Sequence, residues 1–412
     1  MRNQFNFRAA IAMTAIWLCT TAGAAQVSVR WAQPNADAPV SDEIRLQLTG
    51  EALKNVDIYR EGIKIARADV SADGTRASAL INTRQFANGP VTLTAHASNP
   101  DAGEAATSEA DAGALQLSVS NSLRMSNTRE KFGVFIGNQP DAVINFETWL
   151  GRQVEAILSF TGAAGWKDYE GSVGWAARSV WGQIDRPVYW SIPLIPNGAN
   201  LAAAATGAYN EHYRTVAEVL VRTRLTEPYM HIRTGWEFNG NWMPWSAIGK
   251  EKEFIGAFQQ FVTTFREVAR ENGMPDKFVF EWNVACGNYG MNPEDAYPGD
   301  NYVDIIGMDF YWNPKYDPDD PIPAWNWKVT RQYGLKWHQT FAAAHAKRTA
   351  YPEWGVQGDN AGPYIELARE WFRKHAPIYQ AYWDSNSAYP GKLSSEQYPN
   401  SAAAYYKAFH QP

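Results

Sequence analysis

Between Gln26 and about Ser122 the chain alternates apolar and polar residues in short runs, among them Val27-Ser28-Val29-Arg30-Trp31, Ile44-Arg45-Leu46-Gln47-Leu48, Val56-Asp57-Ile58-Tyr59, Val91-Thr92-Leu93-Thr94-Ala95 and Leu115-Gln116-Leu117-Ser118-Val119. Alternation with period two puts one face of each run in a core and the other in water, so these runs predict antiparallel strands of a small β-sandwich over 26–122. The Ala/Gly/Asp/Ser-rich stretch 99–113 predicts a long loop before the last strand.

Beyond about Leu123 the texture changes. Strand-like segments at 133–137, 156–162, 188–196, 230–239, 277–286, 303–312, 348–356 and 377–384 are separated by longer stretches, of which 209–224, 251–271, 325–347 and 364–374 have helical character, and 402–410 closes the chain. Eight strands interleaved with helices predict an α/β fold, a (β/α)8 TIM barrel over 123–412. In such a barrel the reactive groups sit at the C-terminal strand ends. Glu237 and Glu353 fall there, on the fourth and seventh strands, each beside Trp and Gly. Alternation along the fourth strand turns Arg233, Gly235 and Glu237 inward; on the sixth it turns Ile305, Gly307, Asp309 and Tyr311 inward, and on the eighth it brings Trp383 to the mouth.

Composition narrows the class. With 45% hydrophobic and 19% charged residues, 412 residues bury large cores and exclude a disordered chain. The 18 Trp, 20 Tyr and 18 Phe exceed what cores alone call for, and flat rings are also the platforms on which sugars stack. Residues 1–25 have the form of a secretory signal: Arg2 and Arg8, an apolar run from Ala9 to Cys19, then Ala22-Gly23-Ala24-Ala25. An exported protein, periplasmic or extracellular, is expected. Cys19 would leave with the signal, and Cys286 then has no partner for an internal disulfide. Loss of Arg2 and Arg8 takes the net charge from −6 to −8, which disfavours nucleic acid as a partner. Beyond the signal no apolar run is long enough to span a membrane. The seven His lack metal-ligand spacing, and neither a metal nor another cofactor is expected. A monomer acting on a neutral polysaccharide fits this balance.

Two carboxyl groups brought together at a barrel mouth suit hydrolysis of a glycosidic bond. With retained configuration one group protonates the leaving oxygen and the other attacks the anomeric carbon, the pair standing about 5–5.5 Å apart. Trp166, Trp242 and Trp245 follow the second and fourth strands as candidates for sugar stacking or for loop packing. Asn239 and Asn283 have the chemistry to bind hydroxyls or to cap loops. Asp309 serves either to anchor Arg233 or to touch sugar, and Glu281, in Phe280-Glu281-Trp282-Asn283, is the rival carboxylate, expected to support the pair or contact substrate.

The segment Arg233-Thr234-Gly235-Trp236-Glu237-Phe238-Asn239-Gly240-Asn241-Trp242-Met243-Pro244-Trp245 resembles the acid/base motif of family 26 glycoside hydrolases, and the resemblance extends over most of 130–412. It implies that Glu237 is the acid/base, Glu353 the nucleophile, and Tyr311 the tyrosine that contacts it. Trp236 departs from the His found at this place in many members, notably mannanases. Residues 26–122 resemble the immunoglobulin-like modules of exported bacterial enzymes. The expected function is that of a secreted retaining endo-glycoside hydrolase cleaving a β-mannan-like polysaccharide or a bacterial exopolysaccharide by double displacement. The alternatives are a non-catalytic polysaccharide-binding protein and a transglycosylase, acting in exopolysaccharide export or remodelling.

Overall fold

The computed structural model describes residues 26–101, 108–121, 130–224, 226–395 and 397–411; the signal-like segment 1–25, with Cys19, lies outside them. Eight strands come first: β1 Ser28–Gln33, β2 Ala38–Val40, β3 Glu43–Glu51, β4 Asn55–Arg60, β5 Ile63–Val70, β6 Arg76–Asn82, β7 Gly89–Ser98 and β8 Glu109–Val119. They pair in the order β1-β3-β6-β5-β4-β7-β8-β2. β5 bridges the two halves, its first part pairing with β4 and its last residues, Asp69 and Val70, with β6. The inward residues of both halves, including Leu46, Leu48, Val56, Ile58, Leu93 and Leu117, share one core.

Four of the five alternating runs of the sequence lie wholly in these strands and the first enters β1 one residue after Val27; β2, β5 and β6 add to them. The expected loop over 99–113 is shorter than its composition suggested. Ser98 pairs with Glu109 and Ala97 with Ala110, so β8 begins inside that stretch. A neighbouring strand offering its hydrogen bonds outweighs the weak strand preference of Ala, Gly and Asp.

The second unit is a closed barrel of parallel strands: β9 Lys131–Phe135, β10 Ala156–Phe160, β11 Val188–Ile192, β12 Met230–Thr234, β13 Phe278–Ala285, β14 Ile305–Trp312, β15 Arg348–Val356 and β16 Tyr379–Trp383, with β16 pairing back to β9. Helices α1 Pro140–Leu150, α2 Trp166–Trp175, α3 Leu201–Ala205, α4 Asn210–Thr223, α5 Glu251–Glu271, α6 Pro321–Thr330, α7 Leu335–Ala344, α8 Gly362–His375 and α9 Pro399–Phe409 accompany it. Outward residues such as Ile232, Phe280, Met308 and Trp354 pack on helical residues including Phe261, Phe265 and Phe372 in the main core. Inward residues Ala156, Leu158, Tyr189, Val279, Ile305, Ala350, Tyr379 and Ala381 fill the barrel itself.

Two expectations need correction. The helix expected over 325–347 is two helices, α6 and α7, broken where Tyr333 takes φ +55° and Gly334 passes so close to the Lys328 carbonyl that a Cβ would stand 2.4 Å from it. The strand expected over 230–239 ends at Thr234, because Gly235 turns the chain with φ +61°.

The N-terminal unit meets the barrel beneath the starts of β15 and β16, where Arg60 Nη2 donates to the Lys374 carbonyl at 3.2 Å and Phe86 faces a cavity also lined by Thr349 and Ala376. That end is opposite the one that carries Glu237 and Glu353. No helix among the described residues is long and apolar enough to cross a membrane.

Candidate active site

Glu353 owes its direction to a bulge. Across β14 the register runs from Gly307 paired with Ala350 to Phe310 paired with Trp354, and across β16 from Tyr351 with Gln380 to Trp354 with Tyr382. On both sides β15 therefore carries one extra residue between Tyr351 and Trp354. Pro352 has no N–H to give to a ladder, and bulges are where a sheet interior tolerates proline. Tyr351 and Trp354 both face the helices, Tyr351 receiving a hydrogen bond from Trp371 Nε1 and Trp354 donating to Gln380 Oε1, each at 2.6 Å. The doubled parity leaves Glu353 pointing into the mouth.

Glu237 arrives by a different route. It lies three residues past β12 with φ +53°, a left-handed conformation that costs a non-glycine residue on the order of 1 kcal/mol or more. The turn is held on all sides. Glu237 N donates to the Asn283 carbonyl at 3.0 Å, Trp245 Nε1 donates to the Trp236 carbonyl at 2.7 Å, and Asn239 spans Ala285, giving Nδ2 to its carbonyl and accepting its N–H. At Gly235 a Cβ would press on the Phe254 ring at 2.9 Å, so both space and φ demand glycine.

Around these two carboxyl groups runs a buried network. Glu353 Oε1 accepts from Arg233 Nη2 at 2.5 Å and Oε2 from the Tyr311 hydroxyl at 2.6 Å. Arg233 Nη1 reaches both oxygens of Asp309 at 3.1 Å, and its Nε donates to Ser191 Oγ at 2.9 Å. Asp309 also receives Asn283 Nδ2 at 3.1 Å. Burial opposes the charge of Arg233, but Asp309 and Glu353 outweigh it and raise its pKa further above the ordinary arginine value. Phe160 and Trp236 offer ring faces to the guanidinium at 5.1 and 5.3 Å.

The two carboxyl groups sit in opposite surroundings. Glu237 is pushed up to about 7, first by burial and then by the negative charge of Glu353, with the Trp242 Nε1 donor at 2.7 Å and Arg233 pulling the other way. Glu353 is spanned by a cation and a phenol. Burial and the Glu353 charge raise Asp309 as well.

The structure sorts the remaining candidates. Arg233, Asp309 and Tyr311 turn inward as strand parity predicts, and the bulge in β15 brings Glu353 to them. Trp383 lies on the inner face, 7% exposed, its ring 4.0 Å from that of Phe135 and 6.1 Å from that of Tyr311. Trp242 is 46% exposed at the mouth and meets the Tyr289 ring edge-on at 4.9 Å. Trp245 is corrected: at 1% exposure it offers no face to a sugar and holds the turn under Glu237. Asn239 is corrected likewise, since both ends of its amide are engaged by Ala285. Trp166 stacks on His212 at 4.0 Å against the helical layer, so one of its faces is covered. Glu281 bonds neither carboxyl group; its Oε2 accepts from the Tyr379 hydroxyl at 2.6 Å, and burial pushes it up to about 7.

Sequence reasoning passed over Ser191, Phe135, Phe160 and Trp175. Strand parity alone points Ser191, Phe135 and Phe160 inward, whereas Trp175, 53% exposed at the end of α2, is visible only in three dimensions. No group of three or more His, Cys, Asp or Glu among the described residues is arranged to hold a metal ion.

Residues 201–334 match the family described as Glycosyl hydrolase family 26, a stretch that includes Arg233, Glu237, Asp309 and Tyr311 and ends before Glu353. The chain is similar to glycosyl hydrolase family 26. Endoglucanase H of Acetivibrio thermocellus is 26% identical over 242 residues, 54% of this chain; the match spans 23% of that relative's length. Among solved structures, the modular endo-beta-1,4-mannanase of Cellulomonas fimi superposes with TM-score 0.53 at 16% identity, covering 69% of this chain and 71% of that one. GH26C from a Muricauda species gives 0.50 at 14% identity, covering 70% and 87%. At that identity the family 26 structures establish the barrel as the shared fold.

Proposed function

We propose that this protein is a secreted retaining endo-glycoside hydrolase that cuts a polysaccharide by double displacement. The observation that carries the proposal is the contrast between Glu237, held protonated up to about pH 7, and Glu353, gripped by Arg233 and Tyr311. In the first step Glu237 gives its proton to the glycosidic oxygen while a Glu353 oxygen attacks the anomeric carbon, and the bond to the leaving sugar breaks. Glu237, now ionised, takes a proton from water as that water attacks the same carbon. The carbon–Glu353 bond breaks, the configuration is restored, and both carboxyl groups return to their starting states.

Similarity to Endoglucanase H and to a mannanase fold supports a β-linked backbone. Exposed Trp242 and Tyr289 at the mouth support internal cleavage of a long chain. Export by the 1–25 segment, an immunoglobulin-like character for the N-terminal sheet, and action as a monomer belong to the same reading.

The test is product formation from a panel of β-glucans, β-mannans and bacterial exopolysaccharides. New reducing ends with retained anomeric configuration, lost in Glu237→Gln and Glu353→Gln, are expected. Binding by the unaltered protein without new reducing ends would mean a polysaccharide-binding protein instead, and longer products without net hydrolysis would mean a transglycosylase.

A further inference from the structure

An open trough of about 520 Å³ runs along the C-terminal ends of β9 and β10, bounded by Phe160, Thr161, Gly162, Ser172 and Trp175. A second hollow of about 430 Å³ shares Asp168, Gly171 and Ser172 with it and continues along the outer face of α2. The floor is made of small residues. A Cβ on Gly171 would meet nothing within 4 Å, and one wall is the half-exposed ring of Trp175. Its polar residues are largely satisfied within the protein: Asp168 Oδ2 accepts Ala164 N at 2.9 Å, Ser172 Oγ accepts Gly162 N at 2.7 Å, and Asn138 Nδ2 donates to the Phe160 carbonyl at 2.8 Å. What the trough offers a ligand is therefore a fixed shape and a ring face, which suits the apolar face of a pyranose better than a charged group.

Phe160 joins this trough to the catalytic centre. Its ring stands 5.1 Å from the Arg233 guanidinium, 5.4 Å from the Trp236 ring and 5.9 Å from the Trp383 ring. The direction of the chain follows from the acid. Glu237 must face the leaving oxygen, so the leaving part of the polymer lies toward Trp242, which holds Glu237, and toward Tyr289 after β13. In the closed ring β9 stands four places from β13, across the mouth, so the trough lies on the side of the sugars that remain attached to Glu353.

Resting on the glycosidase reading, we propose that the Trp175 trough is a distal binding subsite for a sugar unit of the retained portion of the polymer. Trp175 stacks on that unit, and Phe160 lines the passage between it and the reacting sugar.

The test uses the full chain carrying Glu353→Gln, so that binding is measured without turnover, with linear β-1,4-gluco- and β-1,4-manno-oligosaccharides of two to six units as probes. Adding Trp175→Ala is expected to weaken binding of the longest probes about three- to tenfold while leaving disaccharide binding unchanged. Gly171→Leu, which fills the trough from an open helix face, is expected to do the same without removing any contact of the fold. In the active protein Trp175→Ala should shift the lengths of the first products from a hexasaccharide. Equal losses for short and long probes, or no loss with either variant, overturn the subsite. So does failure of every probe to bind the parent protein. Length-dependent loss in a protein that releases no product keeps the subsite and sinks the hydrolase reading alone.

Discussion

The Tyr311 hydroxyl donates to Glu353 at 2.6 Å from the carboxylate oxygen opposite the one that Arg233 occupies. A phenol in this position fixes the plane of the carboxylate and holds it in line for attack. A hydrogen bond to a charged group contributes about 1.5–3 kcal/mol, so Tyr311→Phe should lower kcat about 10- to 100-fold. KM should change far less, and unfolding should show only the loss of this one bond, because the ring packing on Tyr389 and Trp383 survives. A loss confined to KM would show that Tyr311 binds substrate instead.

The two carboxyl groups should separate under chemical rescue. Glu237→Ala and Glu353→Ala are each expected to lose about 10²-fold or more on natural polymer. With an aryl glycoside whose leaving group needs no proton, added azide should restore Glu237→Ala with a product of retained configuration and Glu353→Ala with one of inverted configuration. Identical azide products from both variants would contradict the division of roles.

Activity should fall as pH rises through about 7, where Glu237 loses the proton it must donate. The Trp242 hydrogen bond lowers this pKa, so Trp242→Phe should move the basic limb of kcat/KM upward. Stability follows the same sign. A carboxyl group whose folded pKa is raised binds its proton more tightly in the fold, so its favourable contribution is complete below about 4.5 and is lost as pH passes about 7. Glu237→Gln should therefore match the parent protein near pH 4 and exceed it near pH 8, by about 3 kcal/mol in urea unfolding. An unchanged stability difference between the two pH values would place the raised pKa elsewhere, Glu281 being the other group pushed to about 7.

Arg233 is the cation on which two buried carboxylates depend. Arg233→Met should destabilise the barrel by about 3–5 kcal/mol, because it leaves Asp309 and Glu353 facing each other without a counter-charge. Adding Asp309→Asn should recover part of that loss in denaturant melts. Equal stability of the single and double variants would mean that the two carboxylates do not repel.

Gly235→Ala tests the turn that delivers the acid. Positive φ and the Phe254 ring both oppose a methyl group there, and a loss of about 1–3 kcal/mol is expected, with kcat falling more than binding of substrate by the folded protein. Crystals of a variant with unmoved Glu237 and full activity would remove the turn from the argument.

The barrel was legible because its signal is repetitive: eight apolar strands between amphipathic stretches, and within β12 and β14 a parity that groups Arg233, Asp309 and Tyr311. Trp245 and Asn239 stay open between cleft and loop in the sequence for one reason. A sequence shows that an aromatic or an amide lies near a strand end, but whether it faces the cleft or latches the backbone depends on the carbonyl of Trp236, past the end of β12, and on Ala285, 46 residues along the chain from Asn239 on β13. Trp325 to Lys347 looked like one helix because its composition gives no strong breaker other than Gly334, and that residue's close passage to Lys328 appears only in the fold.

By itself the sequence determined the barrel, the pair of acidic residues at strand ends, and the polar residues turned inward around them, since each follows from local periodicity and from where parallel barrels place their strand ends. Tertiary structure alone decided how the pair faces the mouth. Plain alternation would not have turned Glu353 inward past Trp354; an extra residue at Pro352 does, and Glu237 sits off its strand on a left-handed turn. Both depend on register between neighbouring strands, which pairing partners distant along the chain impose and no local pattern encodes.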